Sequence, residues 1–133
     1  MSKYREIKTE FREEALLRQA LQASGVPFEE HAAPAHLVGY MGDERPEVAQ
    51  FIIRRRNLGS MSNDLGFARQ EGGTYAAIVS DYDQYNRQSQ GRLARVKQEY
   101  ARAFVHREAR RRGLRVTEQR DARTGAVHLT LRG

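Results

Sequence analysis

The spacing of hydrophobic positions predicts a strand and then a helix at the start of the chain. Between residues 2 and 11, apolar and β-branched side chains alternate with charged ones, which is the pattern of a half-buried strand. Residues 13–24 place apolar side chains at helical spacing, and Gly25 and Pro27 follow directly, which favours the end of a helix there.

Four further strands are predicted in the middle of the chain. They are the apolar or alternating stretches at residues 35–41, 48–55, 64–69 and 74–80. The acidic segment 43–47, which contains Pro46, predicts a turn between the first two. Residues 57–63 predict a loop, and Gly72-Gly73 predicts a hairpin between the last two strands.

A long amphipathic helix and a hairpin are predicted at the C-terminal end. Apolar side chains recur at helical spacing through residues 92–112, and Gly113 follows as a helix-ending residue. Residues 114–119 and 126–132 flank a turn at 121–125, and the second stretch alternates strictly between apolar and polar positions. This pattern is typical of a terminal β-hairpin.

The predicted order of elements, β-α-β-β-β-β-α-β-β, indicates an α+β fold. We expect one domain over residues 1–133, because no segment resembles a linker and 133 residues suit a single domain. We further expect a mainly antiparallel sheet of about six to seven strands, with the helices at 13–24 and 92–112 packed on one face and a C-terminal β-hairpin.

Positive charge is concentrated towards the C-terminus. The chain has 23 Lys and Arg against 17 Asp and Glu, a net charge of +6. Residues 1–86 carry 10 basic and 13 acidic side chains, a net of −3, whereas residues 87–133 carry 13 basic and 4 acidic side chains, a net of +9. Arginine supplies 20 of the 23 cations, and its planar guanidinium suits phosphate and carboxylate partners. High-GC coding sequence would also favour arginine over lysine, but it accounts less well for the clustering.

Several classes of protein are disfavoured by what the sequence lacks. It contains no cysteine, which excludes disulfides, thiol catalysis and thiolate metal sites. No apolar run approaches the roughly 20 residues that span a bilayer, and the first residues are charged throughout, so we expect a cytoplasmic protein with no membrane segment. Phosphate-binding loops, nucleophile elbows and helical histidine pairs are also missing. We therefore expect no catalytic residue, no metal and no cofactor.

The final helix carries the first candidate binding surface. Its polar face holds a basic stripe opposite the apolar face, interrupted by Glu99. The stripe consists of Arg92, Arg95, Arg102, His106 and Arg110. Such a stripe can track a phosphate backbone or an acidic protein surface. It is also typical of a solvated helix face whose last turn favours cations.

The second candidate surface is the run Arg54-Arg55-Arg56, which follows a predicted strand and precedes a loop. Residues at such positions often bind ligands, and backbone amides in the loop could help to hold an anion. The alternative is a charged strand end that discourages edge-to-edge pairing.

Two carboxylates and two aromatic rings lie close together just before the final helix. Asp81 and Asp83 could bind a cation or take part in acid–base chemistry, but a helix cap and a turn explain them better. Tyr82 and Tyr85 could stack on nucleic-acid bases. Both tyrosines are therefore candidate stacking residues.

Short blocks along nearly the whole chain resemble one family. They are Ser2, Tyr4, Ile7–Thr9, Val38–Tyr40 with Gly42, Asp64–Phe67, Tyr75–Asp81, Tyr100, Gly113-Leu114 and Gly125. In this order and spacing, the chain resembles the conserved hypothetical chloroplast reading frame family numbered thirty-five, whose members occur in red-algal plastids, cyanobacteria and other bacteria. The resemblance implies a fold but no activity and no catalytic residue. Family members are often encoded near AAA-type ATPases and small companion proteins, which implies an accessory role.

Two functions remain as alternatives. The first is a non-enzymatic accessory or adaptor protein that docks on a protein partner, such as an AAA-type ATPase or a larger assembly, through arginine-rich surfaces. The second is an RNA- or DNA-binding module that uses the basic face of the last helix and the Arg54–Arg56 loop. Edge strands could also support oligomerisation, and the sequence leaves the oligomeric state open.

Overall fold

The computed structural model describes residues 3–59 and 61–133. Its strands are β1 Tyr4–Phe11, β2 Glu29–Val38, β3 Glu44–Ile53, β4 Leu65–Arg69, β5 Tyr75–Ser80, β6 Arg115–Arg120 and β7 Val127–Arg132. Its helices are α1 Glu14–Ala23, α2 Asp81–Tyr85 and α3 Arg87–Arg112, with one 3₁₀ turn at Arg55–Asn57. This order confirms the predicted α+β fold. Ser2, in the first predicted strand, and Ser60, in the predicted loop 57–63, lie outside the described residues.

The strands of the described residues form two antiparallel units. A five-stranded sheet has the order β1-β5-β4-β3-β2, and β6 and β7 form a separate two-stranded hairpin. Gly72 and Gly73 lie between β4 and β5, and both have a φ of +91°. Glycine adopts this conformation without steric cost, so the predicted β4–β5 hairpin is confirmed.

Both long helices pack on the same face of the sheet, as predicted. The helices contribute Leu16, Leu17, Ala20, Leu21, Val96 and Tyr100 to one buried cluster. The sheet contributes Phe11, Phe51, Ile53, Leu65, Phe67, Tyr75, Ala77 and Val79 to the same cluster. The opposite face of the sheet holds a smaller buried cluster, made of Leu37, Ala49, Ile52 and Ile78. The main core therefore lies between the sheet and the two helices.

Tyr100 joins α3 to the start of α1. Its hydroxyl accepts hydrogen bonds from the backbone N–H groups of Arg12 and Glu13, both at 3.0 Å. These donors lie at the N-terminal end of α1, where backbone N–H groups lack partners within the helix. The ring of Tyr100 also lies 5.0 Å from that of Phe11. One side chain thus fixes α3 against both the end of β1 and the start of α1.

The final helix begins earlier than its apolar pattern predicts. Helix α3 starts at Arg87 rather than at residue 92, because the Asn86 side chain accepts hydrogen bonds from the N–H groups of Gln88 and Ser89. Such a cap satisfies backbone donors whatever the hydropathy of the first turns. The predicted end is confirmed, since Gly113 has a φ of +67° and closes the helix.

Strand β3 includes residues 44–47 of the segment 43–47, for which the prediction of a turn is wrong. The strand starts at Glu44 and contains Pro46, and the turn lies at residues 39–43 instead. In this half of β3 the ladder runs only to β2, because β4 pairs with Phe51–Ile53 alone. Proline is tolerated where a strand has an open edge, since its missing N–H then costs no ladder bond.

Two glycines give opposite predictions for stability. A Cβ atom on Gly66 in β4 would lie 2.8 Å from the Cβ of Ala49. The Gly66→Ala variant should therefore lose about 1–3 kcal/mol of unfolding free energy through overpacking. Gly91 lies within α3 with open space around its Cα, so Gly91→Ala should gain about 0.5–1 kcal/mol. Urea denaturation of both variants measures the two changes in unfolding free energy. Equal changes would contradict the close contact of Gly66 with Ala49 and the open space at Gly91.

Candidate functional site

Two members of the basic stripe of α3, Arg102 and His106, contact the C-terminal hairpin. The Arg102 guanidinium donates to Glu118 of β6, with Nη2 at 2.8 Å from Oε2. His106 Nε2 lies 2.7 Å from the other oxygen of the same carboxylate. Hydrogen bonds with Arg102 and His106 lower the pKa of Glu118 to about 2. These two stripe residues therefore hold β6 against the helix.

Glu99, which interrupts the stripe in sequence, is a buried ion-pair partner. Only 3% of its side chain is exposed. It accepts hydrogen bonds from Arg95 Nε at 3.2 Å and from Arg102 Nη1 at 3.4 Å. A buried carboxylate requires such compensation. Arg95 and Arg102 thus have partners within the chain.

Arg92 and Arg110 differ from the other members of the stripe. Within residues 3–59 and 61–133, no carboxylate lies within 4 Å of either guanidinium. Arg110 is exposed in the last turn of α3, and Arg92 is half-buried. Of the stripe, these two side chains can meet an external anion without first leaving an internal carboxylate. The binding role of all five residues stays a prediction.

Arg54 is held by two carboxylates. Its guanidinium contacts Glu29 in a bidentate manner, with Nε–Oε2 at 2.9 Å and Nη2–Oε1 at 2.8 Å. Its Nη1 lies 2.7 Å from Oδ2 of Asp64. The Arg54 hydrogen bonds, aided by His31, lower the pKa of Glu29 to about 2 although partial burial opposes the shift. Arg54 therefore serves the fold at the end of β3.

The other two arginines of the run lie next to an open depression. Arg55 Nε donates to the Ser62 carbonyl at 3.2 Å, whereas the Arg56 side chain is exposed. The depression has a volume of about 540 Å³ and is lined by Arg54, Arg55, Arg56, His36, Glu44 and Asp64. The structure thus brings the predicted arginines together at one surface, along with two carboxylates.

The segment Ser62–Asn63–Asp64, here called the junction segment, joins the ends of several strands. The Asp64 side chain is fully buried. Its Oδ2 accepts from Val38 N at 2.8 Å, and its Oδ1 accepts from Arg55 N at 2.8 Å. The Tyr4 hydroxyl donates to the Asp64 carbonyl at 2.8 Å. Together with the Arg54 contact, these bonds tie β1, β2, β3 and β4 at one end of the sheet.

Asn63 connects the same segment to α2 and α3 through Asp83. The buried Asp83 carboxylate accepts from Asn63 N at 2.9 Å and from Ser80 Oγ at 2.6 Å. Its other oxygen accepts from Ser89 Oγ at 2.7 Å. The Ser80 hydroxyl also accepts from Asp83 N and so caps α2. The helix caps at this site are Ser80 and Asn86, so Asp83 is not itself the predicted cap, and its carboxylate instead joins the junction segment to both helices.

Asp81 and Asp83 have different partners. The Asp81 carboxylate pairs at the surface with Arg5, whereas Asp83 is turned into the network of the junction segment. Among the described residues, no cluster of three or more His, Asp or Glu side chains has the geometry of a metal site. The two carboxylates therefore contact different partners instead of facing one shared site.

The two candidate stacking residues are both accessible. Tyr82 is 41% exposed and Tyr85 is 81% exposed. The Tyr82 hydroxyl accepts a hydrogen bond from Asn86 Nδ2 at 3.3 Å. Neither position contradicts base stacking, which stays a prediction.

An apolar groove between the end of β1 and α3 escaped the sequence patterns. Its floor consists of Tyr100, Ala101, Phe104 and Val105, its rim of Glu10, Arg12 and Glu13, and its volume is about 390 Å³. Phe104 is 43% exposed, although the helical wheel groups it with core residues. The reason is the length of α3: Tyr100 already contacts the end of β1, and Phe104 lies one turn beyond it. The sequence alone gives no signal for the groove, because Phe104 has the same helical spacing as the core residues Val96 and Tyr100.

Substitution of Asp64 should destabilise the protein strongly. Asp64→Asn removes the charge opposite Arg54 and places an amide donor against backbone N–H donors. Loss of one partner of a buried ion pair costs about 3–5 kcal/mol. Glu10→Gln is the matched control, because the Glu10 side chain is 88% exposed and should leave the unfolding free energy unchanged. Urea denaturation at pH 7 compares them, and a similar small loss for both would rule out the junction described above.

Comparison with known proteins gives the family of the chain. The sequence matches the family DUF1257, a protein of unknown function, over residues 20–130. No curated protein and no solved structure matches the chain. Among the described residues, no helix is both long enough and apolar enough to cross a membrane. The match spans most of the sequence, and the chain therefore belongs to the DUF1257 family of proteins of unknown function.

Proposed function

We propose that the protein is a non-enzymatic accessory module that docks on a protein partner. The observation that carries this proposal is the apolar groove with Phe104 exposed in its floor. Large exposed apolar side chains with a polar rim are typical of protein–protein contact sites. An aromatic anchor that a partner covers contributes a large share of the binding energy at such sites.

The groove is presented by a rigid part of the fold. Its floor continues into the core through Tyr100, whose hydroxyl contacts the backbone of Arg12 and Glu13. The Arg107 guanidinium lies 5.4 Å from the Phe104 ring centroid and pairs with Glu13. A rigid surface loses little conformational entropy when it binds. The groove can therefore receive a partner without rearrangement of the helices.

The rim defines the chemistry of the partner. Glu10 and Glu13 are acidic, and the exposed Arg12 is basic. We expect a segment that inserts one or two apolar side chains and places charges of both signs around them. Arginine-rich surfaces also belong to the proposal, through Arg56, Arg92 and Arg110, whose guanidinium groups meet no carboxylate among the described residues.

The proposal also covers a narrower family, the kind of partner and the cellular location. The family match supports a domain of unknown function, and the resemblance to the chloroplast reading frame family numbered thirty-five is proposed as its finer identity. That resemblance suggests an AAA-type ATPase or a larger assembly as the partner. A cytoplasmic location is likewise part of the proposal, and a sequence without cysteine is compatible with a reducing compartment.

The test is a native pull-down with wild-type protein and two aromatic variants. Phe104→Asp places a charge in the groove floor and should abolish capture of a stoichiometric protein partner. Tyr85→Asp is the control, since Tyr85 is 81% exposed, belongs to α2 and does not line the groove. The partner should be retained with Tyr85→Asp and after nuclease treatment. Capture that survives Phe104→Asp, or that nuclease removes, would contradict the proposal.

A further inference from the structure

The terminal hairpin has two chemically different faces. Directly paired residues of an antiparallel ladder lie on the same face. One face carries the pairs Val116–Leu131, Glu118–Leu129 and Arg120–Val127. The other carries Arg115–Arg132, Thr117–Thr130 and Gln119–His128. Since Glu118 contacts Arg102 and His106, the first face is turned towards α3 and the second away from it.

The outward face is exposed and carries only positive charge. All six of its side chains are exposed, and none is a carboxylate. Arg115 and Arg132 face each other directly across the ladder, an arrangement of like charges that is unfavourable unless an anion lies between them. Within the described residues, no carboxylate lies within 4 Å of either guanidinium. Both side chains are thus available to an external anion.

More charged side chains lie beyond both ends of the hairpin. At one end the last turn of α3 supplies Arg110 and Arg112, and Gly113 and Leu114 lead from it directly into β6. At the other end the turn of the hairpin carries the exposed Arg123 together with Asp121, whose carboxylate accepts from the N–H groups of Arg123 and Thr124. A ribbon of six residues is about 20 Å long. The densest positive charge therefore lies at the end of the ribbon that carries Arg115 and Arg132.

The shape and the side chains of the ribbon favour one kind of anion. A two-stranded antiparallel ribbon fits into the major groove of duplex DNA. Thr117, Thr130 and Gln119 offer neutral hydrogen-bonding groups between the cations, as expected of a surface that lies against phosphates and base edges. The outward face has no Phe, Tyr or Trp, so it lacks the stacking platform that single-strand binding uses.

We propose that the outward face of β6 and β7 binds duplex DNA, with Arg115 and Arg132 on the phosphate backbone. This surface lies on a different part of the fold from the groove at Phe104. It also differs from the α3 stripe, because Arg102 and His106 of that stripe contact the opposite, inward face of the hairpin. The inference therefore goes beyond docking on a protein partner.

The experiment measures binding of the full chain to a fluorescent DNA duplex of about 20 base pairs, by anisotropy at several salt concentrations. The Arg115→Gln/Arg132→Gln variant should bind at least about tenfold more weakly than wild type. The slope of log K against log salt should become shallower by about 1.8, since each phosphate contact contributes about 0.9. Removal of the like-charge pair should leave the melting temperature unchanged or raise it, so loss of binding would not reflect unfolding.

The control removes the same charge elsewhere. Lys8→Gln/Arg69→Gln also lowers the net charge by two at exposed positions, and it should change the affinity and the salt slope only slightly. Equal losses in both variants would show that net charge alone attracts DNA and would overturn the proposal. Absence of duplex binding by wild type at low salt, or tighter binding to single-stranded RNA of the same length, would overturn it as well.

Discussion

The buried carboxylate of Asp64 is the interaction on which the arrangement of the sheet depends. A fully buried charge is stable only when hydrogen bonds and an opposite charge replace the lost water. Its donors are Val38 N, Arg55 N and the Arg54 guanidinium, which come from the ends of β2 and β3. The Asp64 side chain, which directly precedes β4, therefore holds the ends of β2 and β3 together.

The same requirement for compensation divides the arginines into two groups. Arg54, Arg95 and Arg102 each meet a carboxylate that is partly or fully buried, so their charge is used within the fold. Arg115 and Arg132 lie on an exposed face that has no carboxylate. Net charge therefore says little about where an anion binds. The position of internal carboxylates decides which cations remain available to a partner.

Local patterns predict the elements well but not the contacts between distant ones. The apolar run in β5, the stripe of α1 and the Gly72-Gly73 turn depend on neighbouring residues, and the structure confirms all three. The basic stripe of α3 also follows from local spacing, but its contact with β6 does not. Glu118 lies 16 residues from Arg102, and no periodicity shows that the hairpin folds back across the helix. For the same reason, the exposure of Phe104 follows only from where β1 ends beneath α3.

The most direct test of this division is the rate at which arginine Nε–H protons exchange with solvent, measured by NMR on isotope-labelled protein. Hydrogen bonding to a carboxylate protects such a proton, whereas an exposed guanidinium exchanges freely. The Nε–H protons of Arg54 and Arg102, which donate to Glu29 and Glu118, should exchange much more slowly than those of Arg115 and Arg132. Comparable rates for the four arginines would contradict the division into arginines paired within the fold and arginines available to a partner.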